Sequence, residues 1–462
     1  MYKQKARRPA RTEYDLVIIG GGIAGSVAAN LAVGAGKKVA LVEAETLGGS
    51  AQNLTSLPLL ALRESARRFR MTHNSLHYGV HTGNVSLHFG SAQVWRNSLV
   101  GRHQDIYKLE QKNSGVHHYS GRAHFLDKFT ISIGDRRLSA KRFIIATGSR
   151  PAIPAIPGLA ASGFLTYQDL AGLSIPPKSV IIIGGGHTGL EVAQLLSDFG
   201  SEVTILEKES RLLHTEDADV DRFMRQRFLE EGIKVVTGAD IQLVNKSADH
   251  KTVRFTAHGG AHSLSAEEVL VACGNRPNVD LGLDNAGVKY KLSGVVVNSQ
   301  LRSSQKHIYA IGDVNSLKQT SASAAYQARL AVYNLTHRKN HAANLRFAPR
   351  VVYSLPEIAS VGMTKPQLLE SGQPFQSAGT MLDILTRAAV QTDHPGFVKV
   401  YASPSGQLLG GVVVAPNASE IIHELALAVS RGLKADAVSD ITHALPTWSE
   451  GIAVACAKIH CR

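Results

Sequence analysis

Short apolar segments alternate with helical patterns along the chain, and one such arrangement occurs twice. In its first copy the apolar segment Tyr14 to Ile19 predicts a strand that runs directly into the glycine-rich turn 20–25. Small and apolar residues at helical spacing follow from Val27 to Val33, and a second predicted strand, 38–42, ends at Glu43. A strand, a glycine turn, a helix and a strand that ends on an acid are typical of a dinucleotide-binding segment.

The second copy has the same layout in the middle of the chain. Ser179 to Ile183 predicts a strand, a helix runs through Leu196, and the strand that begins at Glu202 ends at Glu207. In both copies the acid lies 23 residues beyond the first glycine of the turn. Such glycines let the backbone approach a pyrophosphate at a helix N-terminus, and the acid accepts from a ribose hydroxyl. The candidate glycines are Gly20, Gly22 and Gly25 in the first copy and Gly184, Gly186 and Gly189 in the second.

The two copies predict an α/β fold with two Rossmann-like dinucleotide-binding domains. The chain has 462 residues, of which 44% are hydrophobic and 19% charged, as in an ordinary soluble globular protein. Its apolar runs, such as Val180 to Ile183 and Val412 to Val414, are far shorter than the roughly 20 residues that span a bilayer. We therefore expect these runs to be buried strands.

The net charge of +13 is partly concentrated in an N-terminal arm, residues 1–13. No apolar stretch follows the arm, which excludes a secretory signal. We expect a solvated, disordered tail, and the weaker alternative is electrostatic contact with an anionic membrane. No nucleic-acid partner is expected. The cations of the arm are Lys3, Lys5, Arg7, Arg8 and Arg11.

The cysteines and histidines predict neither a disulfide framework nor a metal site. Cys273, Cys456 and Cys461 are a low, odd number, which favours a reducing compartment and a cytoplasmic protein. Five residues of helix turn by about 500°, so Cys456 and Cys461 would lie on different faces and are expected to be ordinary helix residues. His73 and His77 are four apart on one predicted helix face, but no third ligand accompanies them.

The segment 48–58 reads Gly-Gly-Ser-Ala-Gln-Asn-Leu-Thr-Ser-Leu-Pro. It resembles the redox loop of the class I pyridine nucleotide-disulfide oxidoreductases, which include dihydrolipoamide dehydrogenase, glutathione reductase and mercuric reductase. The redox cysteines of that loop are replaced here by Ala51 and Ser56. Neither side chain can supply the thiolate that attacks sulfur. The resemblance therefore implies a divergent member that cannot reduce disulfides in the usual way.

Three further segments carry the resemblance, namely 143–151, 271–278 and 308–313. They match the turn that closes the first flavin segment, the turn that leaves the nicotinamide domain, and the second flavin segment. The resemblance implies FAD at 14–150 and 276–343, the nicotinamide nucleotide at 151–275, and an α+β dimerisation domain at 345–462 that forms a homodimer. The FAD residues so implied are Gly20, Gly22, Gly25, Glu43, Gly49, Thr147, Gly148, Gly312 and Asp313, and those for NAD are Gly184, Gly186, Gly189, Glu191, Glu207 and Gly274.

The resemblance favours NAD(H) over NADP(H). In NADPH-using glutathione reductases two arginines hold the extra phosphate, and the matching positions here are Glu207 and Leu213. A carboxylate repels a phosphate and accepts from a free ribose hydroxyl. Lys208 and Arg211 lie nearby, so NADP(H) stays open as the less favoured cofactor.

Other parts of the family's redox machinery are also replaced. The family base is a histidine directly before a proline, with a glutamate that orients it, and here Leu445 precedes Pro446 while Glu450 remains. His443, two residues earlier, is a weaker candidate base. The family also places a lysine beside the flavin, paired to a glutamate, and here that glutamate is Glu191 but the lysine position is Leu60. Glu450 and Glu191 are the possible catalytic residues that remain. Thr55 and Leu59 also differ from the family pattern. The resemblance therefore implies natural divergence of the whole relay, since an engineered removal of the cysteines would change only two residues.

These observations predict an FAD-dependent NADH oxidoreductase with a small-molecule acceptor other than a disulfide, such as a quinone, a dye or oxygen. Two alternatives stay open. One is a soluble pyridine nucleotide transhydrogenase, a member of the same family that lacks one of the redox cysteines. The other is a non-catalytic or redox-sensing protein that binds FAD and NAD. The sequence does not identify the acceptor or the pathway.

Overall fold

A computed structural model describes residues 12–73, 75–391 and 396–460. Most of the basic arm and Cys461 therefore lie outside the described residues. Helices and strands are numbered here in chain order. The α-helices are α1 Ile23–Gly34, α2 Gly49–Asn53, α3 Ser56–His73, α4 Phe89–Asn113, α5 Leu159–Ser162, α6 His187–Asp198, α7 Ala218–Glu230, α8 Leu283–Ala286, α9 Ser321–Thr336, α10 Lys365–Glu370, α11 Thr386–Val390, α12 Ala418–Arg431, α13 Ala435–Ser439 and α14 Glu450–Cys456.

The strands are short and lie in several sheets. They are β1 Tyr14–Ile19, β2 Val39–Glu43, β3 His117–Ser120, β4 Ala123–Phe125, β5 Thr130–Ile133, β6 Arg136–Ile145, β7 Ser149–Pro151, β8 Leu165–Thr166, β9 Ser179–Ile183, β10 Glu202–Glu207, β11 Lys234–Thr237, β12 Asp240–Ser247, β13 His250–Ala257, β14 Gly260–Ala266, β15 Glu268–Val271, β16 Asn275–Pro277, β17 Tyr290–Lys291, β18 Gly294–Val295, β19 Ile308–Ala310, β20 Arg350–Val352, β21 Glu357–Gly362, β22 Gln376–Met381, β23 Phe397–Ala402 and β24 Leu408–Ala415.

The chain divides into two compact units, and the first comprises residues 1–84, 90–152 and 275–345. Its core is a parallel sheet in the order β3, β2, β1, β6, β19, to which β5 and β4 add antiparallel strands. Side chains alternate between the two faces of the sheet, so that Leu16 and Ile18 pack on α1 and α9 while Val17 and Ile19 face the opposite core. The buried positions of α1 are small: Ala24, Gly25, Ala28, Ala29 and Ala32. They let the helix lie close to the strands.

The second unit comprises residues 85–89, 153–274 and 346–462. It holds a parallel sheet in the order β11, β10, β9, β15, β8, beside the antiparallel sheet β12, β13, β14. It also holds an antiparallel sheet in the order β20, β21, β24, β23, β22, whose buried face packs on α12 and α14. The predicted α/β class with Rossmann-like sheets and an α+β C-terminal part is confirmed. The domain boundaries at 150, 275 and 345 stay a prediction.

Local predictions from the sequence hold well at the glycine turns. The strands Tyr14–Ile19 and Ser179–Ile183 have the predicted limits, and Val412 to Val414 lies buried inside β24. The bonds Leu355–Pro356 and Leu445–Pro446 are both cis.

One local prediction is wrong. The helix α3 ends at His73, and His77 lies in a separate 3₁₀ turn, Ser75–Tyr78, so the two histidines do not share a helix face. Among the described residues, no group of three or more His, Cys, Asp or Glu side chains could hold a metal ion. Within the same residues no helix is long and apolar enough to cross a membrane.

Candidate functional site

The first glycine turn is shaped by contacts that leave no room for a side chain. Gly20 has φ +107°, and a Cβ there would overlap the carbonyl oxygen of Ala146. A Cβ at Gly25 would overlap the carbonyl oxygen of Gly20 in the same way. Gly22 is the N-cap of α1 and supplies no capping side chain. The first N–H groups of α1 therefore have no side-chain cap, which is the arrangement that binds a phosphate.

Glu43, at the end of β2, ties this turn to the sheet. Its Oε2 accepts from the N–H of Gly21 at 2.6 Å, and its Oε1 accepts from the N–H of Glu45 at 2.8 Å. Two backbone donors thus fix the carboxylate, and each oxygen retains a lone pair for a ribose hydroxyl. The residues of this turn fit the pyrophosphate and ribose of FAD.

The loop that carries the redox positions packs on the same turn. Gly48 and Gly49 have φ +92° and +62°, and the Gly48 N–H donates to the Gly21 carbonyl at 2.9 Å. A Cβ at Gly49 would lie only 2.8 Å from the Cα of Gly22. Glycine is therefore needed at position 49 for the close approach of two backbones.

Two further segments of the first unit meet in a hydrogen-bonded turn. The Thr147 hydroxyl donates to the carbonyl of Asn278 at 2.7 Å, and the Asn278 side chain donates back to the Thr147 carbonyl at 2.9 Å. The Asn278 N–H also donates to the carbonyl of Gly148, which has φ +65°. Asn278 thus fixes the predicted Thr147–Gly148 position, and sequence reasoning did not include it among the site residues.

Asp313 and Gly312 are positioned by partners that the sequence did not reveal. The Asp313 carboxylate accepts from the Ser149 hydroxyl at 2.8 Å. Burial raises the pKa of Asp313, and the Ser149 hydrogen bond lowers it in part. The N–H of Gly312 donates to the side chain of Gln327 at 2.9 Å. A partly buried carboxylate held in this way suits a hydroxylated chain such as the ribityl group.

The second glycine turn repeats the geometry of the first. Gly184 has φ +112°, and Gly189 is packed against the carbonyl oxygen of Gly184. Gly186 is the N-cap of α6 without a capping side chain. The Glu207 carboxylate accepts from the N–H of Gly185 and, at 2.7 Å, from the N–H of Glu209. These residues fit a second dinucleotide.

Leu213 and Arg211, which lie near Glu207, both make hydrogen bonds to backbone carbonyls. Leu213 is buried, and its N–H donates to the Gly185 carbonyl at 3.0 Å. Arg211 donates to the carbonyl of His214 at 3.3 Å. Gly274 has φ +88°. Burial, together with the charge of Glu207, raises the pKa of the neighbouring Cys273 thiol to about 11.

Glu191 accepts a hydrogen bond from the backbone of the C-terminal part of the chain. Its Oε1 accepts from the N–H of Tyr353 at 2.8 Å. One turn along α6, the Gln194 side chain accepts from the Leu355 N–H at 2.8 Å and donates to the Leu355 carbonyl at 2.9 Å. The helix α6 is thereby joined to the segment between β20 and β21.

Ala51 and Ser56, the predicted redox positions, lie in a segment, 48–58, that contains no sulfur. Ala51 lies in α2, and Ser56, which is exposed, begins α3. The N–H groups of Leu54 and Thr55 both donate to the Ser50 carbonyl at 2.8 Å, which makes the connection compact. The Asn53 side chain donates to the carbonyls of Leu47 and Gly49 at 2.9 Å. The loop conformation therefore depends on the backbone and on Asn53.

The predicted C-terminal site residues do not form an acid–base pair. Leu445 is 70% exposed, and the Glu450 carboxylate at the start of α14 makes no hydrogen bond or ion pair within the described residues. His443 Nε2 lies 2.9 Å from Glu424 Oε1, and its Nδ1 lies 2.8 Å from the Ile441 carbonyl. Both ring nitrogens are thus engaged, which weakens the case for His443 as a replacement base.

Cys456 is equally unsuited to redox chemistry. It is 1% exposed in α14, and burial together with the Glu424 charge raises the pKa of its thiol to about 12. A thiol that stays protonated is a poor nucleophile. Its sequence partner Cys461 lies outside the described residues, so the pair itself stays untested.

Comparisons with known proteins agree with this geometry. Residues 14–329 match the pyridine nucleotide-disulphide oxidoreductase pattern, and residues 348–456 match the dimerisation domain of the same family. Mercuric reductase from Lysinibacillus sphaericus is 32% identical over 448 residues, which cover 96% of this chain and 82% of the relative. Dihydrolipoyl dehydrogenase from Bacillus subtilis is 33% identical over 460 residues, which cover 96% of this chain and 97% of the relative.

Solved structures show the same fold over the full length. The HOCl-induced flavoprotein disulfide reductase RclA from Escherichia coli aligns with a TM-score of 0.85 at 25% identity, covering 97% of this chain and 100% of RclA. Its Cu(II) complex aligns with a TM-score of 0.87 at 24% identity and the same coverage. The family uses FAD and NAD(P)H. The chain belongs to the pyridine nucleotide-disulphide oxidoreductase family.

Proposed function

We propose that this protein is an FAD-dependent NADH oxidoreductase whose acceptor is a quinone, a dye or oxygen rather than a disulfide. The observation that carries the proposal is a contrast between two parts of the chain. Both glycine turns keep their backbone geometry and their carboxylates. The positions of the family's two cysteines and of its base hold Ala51, Ser56 and Leu445.

The residues of the first unit would hold FAD. Gly20, Gly22 and Gly25 bring the backbone to the pyrophosphate, and Glu43 receives a ribose hydroxyl. Asp313 would accept from the ribityl chain. Gly49, Thr147, Gly148 and Gly312 shape the loops around these contacts. The flavin supplies the electron-transfer chemistry when it is bound.

The residues of the second unit would hold NADH. Gly184, Gly186 and Gly189 form the turn, Gly274 lets the chain leave the sheet beside it, and Glu207 receives a free ribose 2′-hydroxyl. In this proposal Glu191 supports α6 through Tyr353 and does not take part in proton transfer. The proposed domains are 14–150 with 276–343 for FAD, 151–275 for NAD, and 345–462 for dimerisation.

The acceptor side would be apolar and without a base. The dimerisation pattern at 348–456 supports a homodimer. In it, the exposed Leu445 of one copy would face the redox loop of the other, near Ala51 and Ser56. Small and apolar side chains at these positions would admit a flat acceptor. Neither the sulfur pair nor the proton donor of a disulfide reductase is present there.

The first prediction concerns the two cofactor sites and uses matched glycine substitutions. We expect Gly22→Asp to lose FAD and Gly186→Asp to keep FAD but lose NAD⁺, because each places a carboxylate where a phosphate binds. A Cβ at Gly22 lies 3.8 Å from its nearest neighbour, and a Cβ at Gly186 has none within 4 Å, so both variants should fold. Flavin absorbance and NAD⁺ calorimetry measure the two losses. Retention of FAD by Gly22→Asp would refute the assignment of the first site.

The second prediction concerns the nicotinamide nucleotide. We expect NADH to be preferred over NADPH by at least about tenfold, because juxtaposed like charges cost several kcal/mol and 1.4 kcal/mol is a factor of ten. Glu207→Arg should narrow or reverse the preference. The measurement is kcat/KM for both nucleotides in both proteins. Equal efficiency in the unmodified protein would instead favour the transhydrogenase.

The third prediction tests the acceptor directly. Purified protein with about one FAD per chain should oxidise NADH with quinones or dyes and show no meaningful turnover with lipoamide, oxidised glutathione or mercuric ion. Anaerobic titration with NADH should consume two electrons per chain, without the long-wavelength absorbance of a thiolate beside the flavin. Disulfide reduction at rates comparable to quinone reduction would contradict the proposal. An FAD- and NADH-binding protein with no acceptor turnover would favour a sensing role.

The fourth prediction rebuilds the missing relay. The double substitution Ala51→Cys with Ser56→Cys should allow a disulfide to form, because the compact connection between α2 and α3 joins the two positions. Disulfide turnover should remain low until Leu445→His is added, since proton transfer to a leaving thiol contributes about 10²–10⁴-fold. Lipoamide reduction by the double and triple variants measures this step. Equal rates in both would show that the base position does not limit the reaction.

A further inference from the structure

A buried ion pair joins the nicotinamide segment to the C-terminal sheet. Arg350, at the start of β20, donates from Nε to Glu216 Oε1 at 2.9 Å. The same Glu216 oxygen accepts from the Ser360 hydroxyl at 3.1 Å, and Arg350 Nη1 donates to the Gly362 carbonyl at 3.3 Å. The side chains are 3% exposed for Glu216 and 17% for Arg350. Residues of β20 and β21 therefore hold Glu216 in place.

Glu216 in turn closes a tight turn that contacts the second glycine loop. The Glu216 N–H donates to the Leu213 carbonyl at 2.7 Å, and the Leu213 N–H donates to the Gly185 carbonyl at 3.0 Å. Leu213 has φ +46°, a conformation that a leucine adopts only when its surroundings impose it. The Leu212 side chain packs on Gly185, since a Cβ there would lie 2.5 Å from Leu212 Cδ2. The turn 212–216 therefore sets the position of Gly185.

The charges around the ion pair also act on the first residue of α6. His187 follows Gly186 directly, and desolvation by the surrounding protein lowers its pKa. Glu216 and Glu191 act in the opposite direction, while Arg350 and His214 lower the pKa further. Arg350 thus influences the glycine loop by a structural route through Glu216 and by its charge at His187.

We propose that Arg350 is a positioning residue for the nicotinamide nucleotide. Through Glu216 it fixes the turn 212–216 and, with it, the glycine loop 184–189. The affinity of the nucleotide site thereby depends on a side chain of the C-terminal sheet that need not touch the nucleotide. The inference rests on the proposed nicotinamide site and adds to it a residue from a part of the chain outside 151–275.

The test is the binding of NAD⁺ to the FAD-loaded protein by calorimetry, since NAD⁺ does not reduce the flavin. We expect Arg350→Gln to raise the Kd for NAD⁺ about tenfold, a usual size for coupling between sites. Glu216→Gln should have a similar effect. The double variant should bind NAD⁺ as tightly as the single variant with the higher Kd, because both substitutions act through one contact. FAD content and dimer mass should stay unchanged in all three.

Lys399→Gln is the matched control. Lys399 also links the C-terminal sheet to this segment, through Asp217 at 2.9 Å and Asp219 at 2.5 Å, but not through Glu216. We expect this variant to lose thermal stability while its Kd for NAD⁺ stays within about twofold, as for an independent site. An equal loss of affinity in Lys399→Gln would mean general loosening of the unit and would overturn the inference.

The pH profile of NAD⁺ binding gives a second readout. Lys399→Gln is again the control, because loosening that exposes His187 would itself raise its pKa. Without the Arg350 charge the pKa of His187 should rise, so that His187 gains its proton at a higher pH. Because a cation at a helix N-terminus attracts the pyrophosphate, the strengthening of binding on acidification should begin at a higher pH in Arg350→Gln. Adding His187→Asn should abolish that shift.

The remaining outcomes separate the inference from the proposed function. An unchanged Kd and pH profile in a folded Arg350→Gln protein would overturn the inference alone. If the unmodified FAD-loaded protein does not bind NAD⁺, the nicotinamide site itself is wrong. If Arg350→Gln does not fold, Arg350→Lys replaces it, and we then expect weaker binding with an unchanged pH profile, since the charge is retained. Unchanged affinity in Arg350→Lys would overturn the proposed geometry.

Discussion

The bond between a strand-end carboxylate and the backbone of the glycine loop is the contact on which both nucleotide sites depend. Glu43 accepts from Gly21, and Glu207 accepts from Gly185, in the same geometry. Each carboxylate belongs to a parallel sheet, so the bond ties a loop without side chains to the rigid part of the fold. A glycine loop has much conformational freedom to lose. A hydrogen bond that fixes the loop before the nucleotide binds lowers the conformational entropy that is lost on binding.

This dependence on the backbone agrees with the proposed function, in which the redox relay is absent and the nucleotide sites are present. The loop that would carry the cysteines is held by Gly48 and Gly49 against the first glycine turn and by the side chain of Asn53. None of these contacts involves the side chains at 51 or 56. In the proposed function, Ala51 and Ser56 in place of the family's cysteines remove the sulfur chemistry without disturbing the loop or the turn beside it. Loss of a side-chain function and retention of a backbone site are physically independent events.

The features that the sequence predicted are those encoded over short distances. The strands and glycine turns follow from apolar periodicity and from positions where only glycine fits, such as Gly25 against Gly20. The missed contacts join residues far apart in the chain. Glu191 and Tyr353 are separated by 162 residues, and Arg350 and Glu216 by 134. No local sequence pattern predicts such pairs, because an arginine or a glutamate is expected at the surface unless the fold is known to bury it. The prediction that His73 and His77 share a helix face was wrong although it used a short-range pattern. Their spacing fits a helix, but the helix α3 ends at His73.

Glu191 is held by a backbone hydrogen bond from the C-terminal part of the chain. In the family pattern this glutamate balances a cation, and at the lysine position this chain has Leu60, which is 38% exposed. A carboxylate that is partly removed from water without a partner costs free energy, because its desolvation is not compensated. Here the N–H of Tyr353 provides the hydrogen bond, next to the two bonds that Gln194 makes with Leu355. These bonds form a structural contact between α6 and the segment that joins β20 to β21. The Arg350–Glu216 pair lies in the same region, so the helix and the glycine loop that it follows are both positioned by the C-terminal part of the chain.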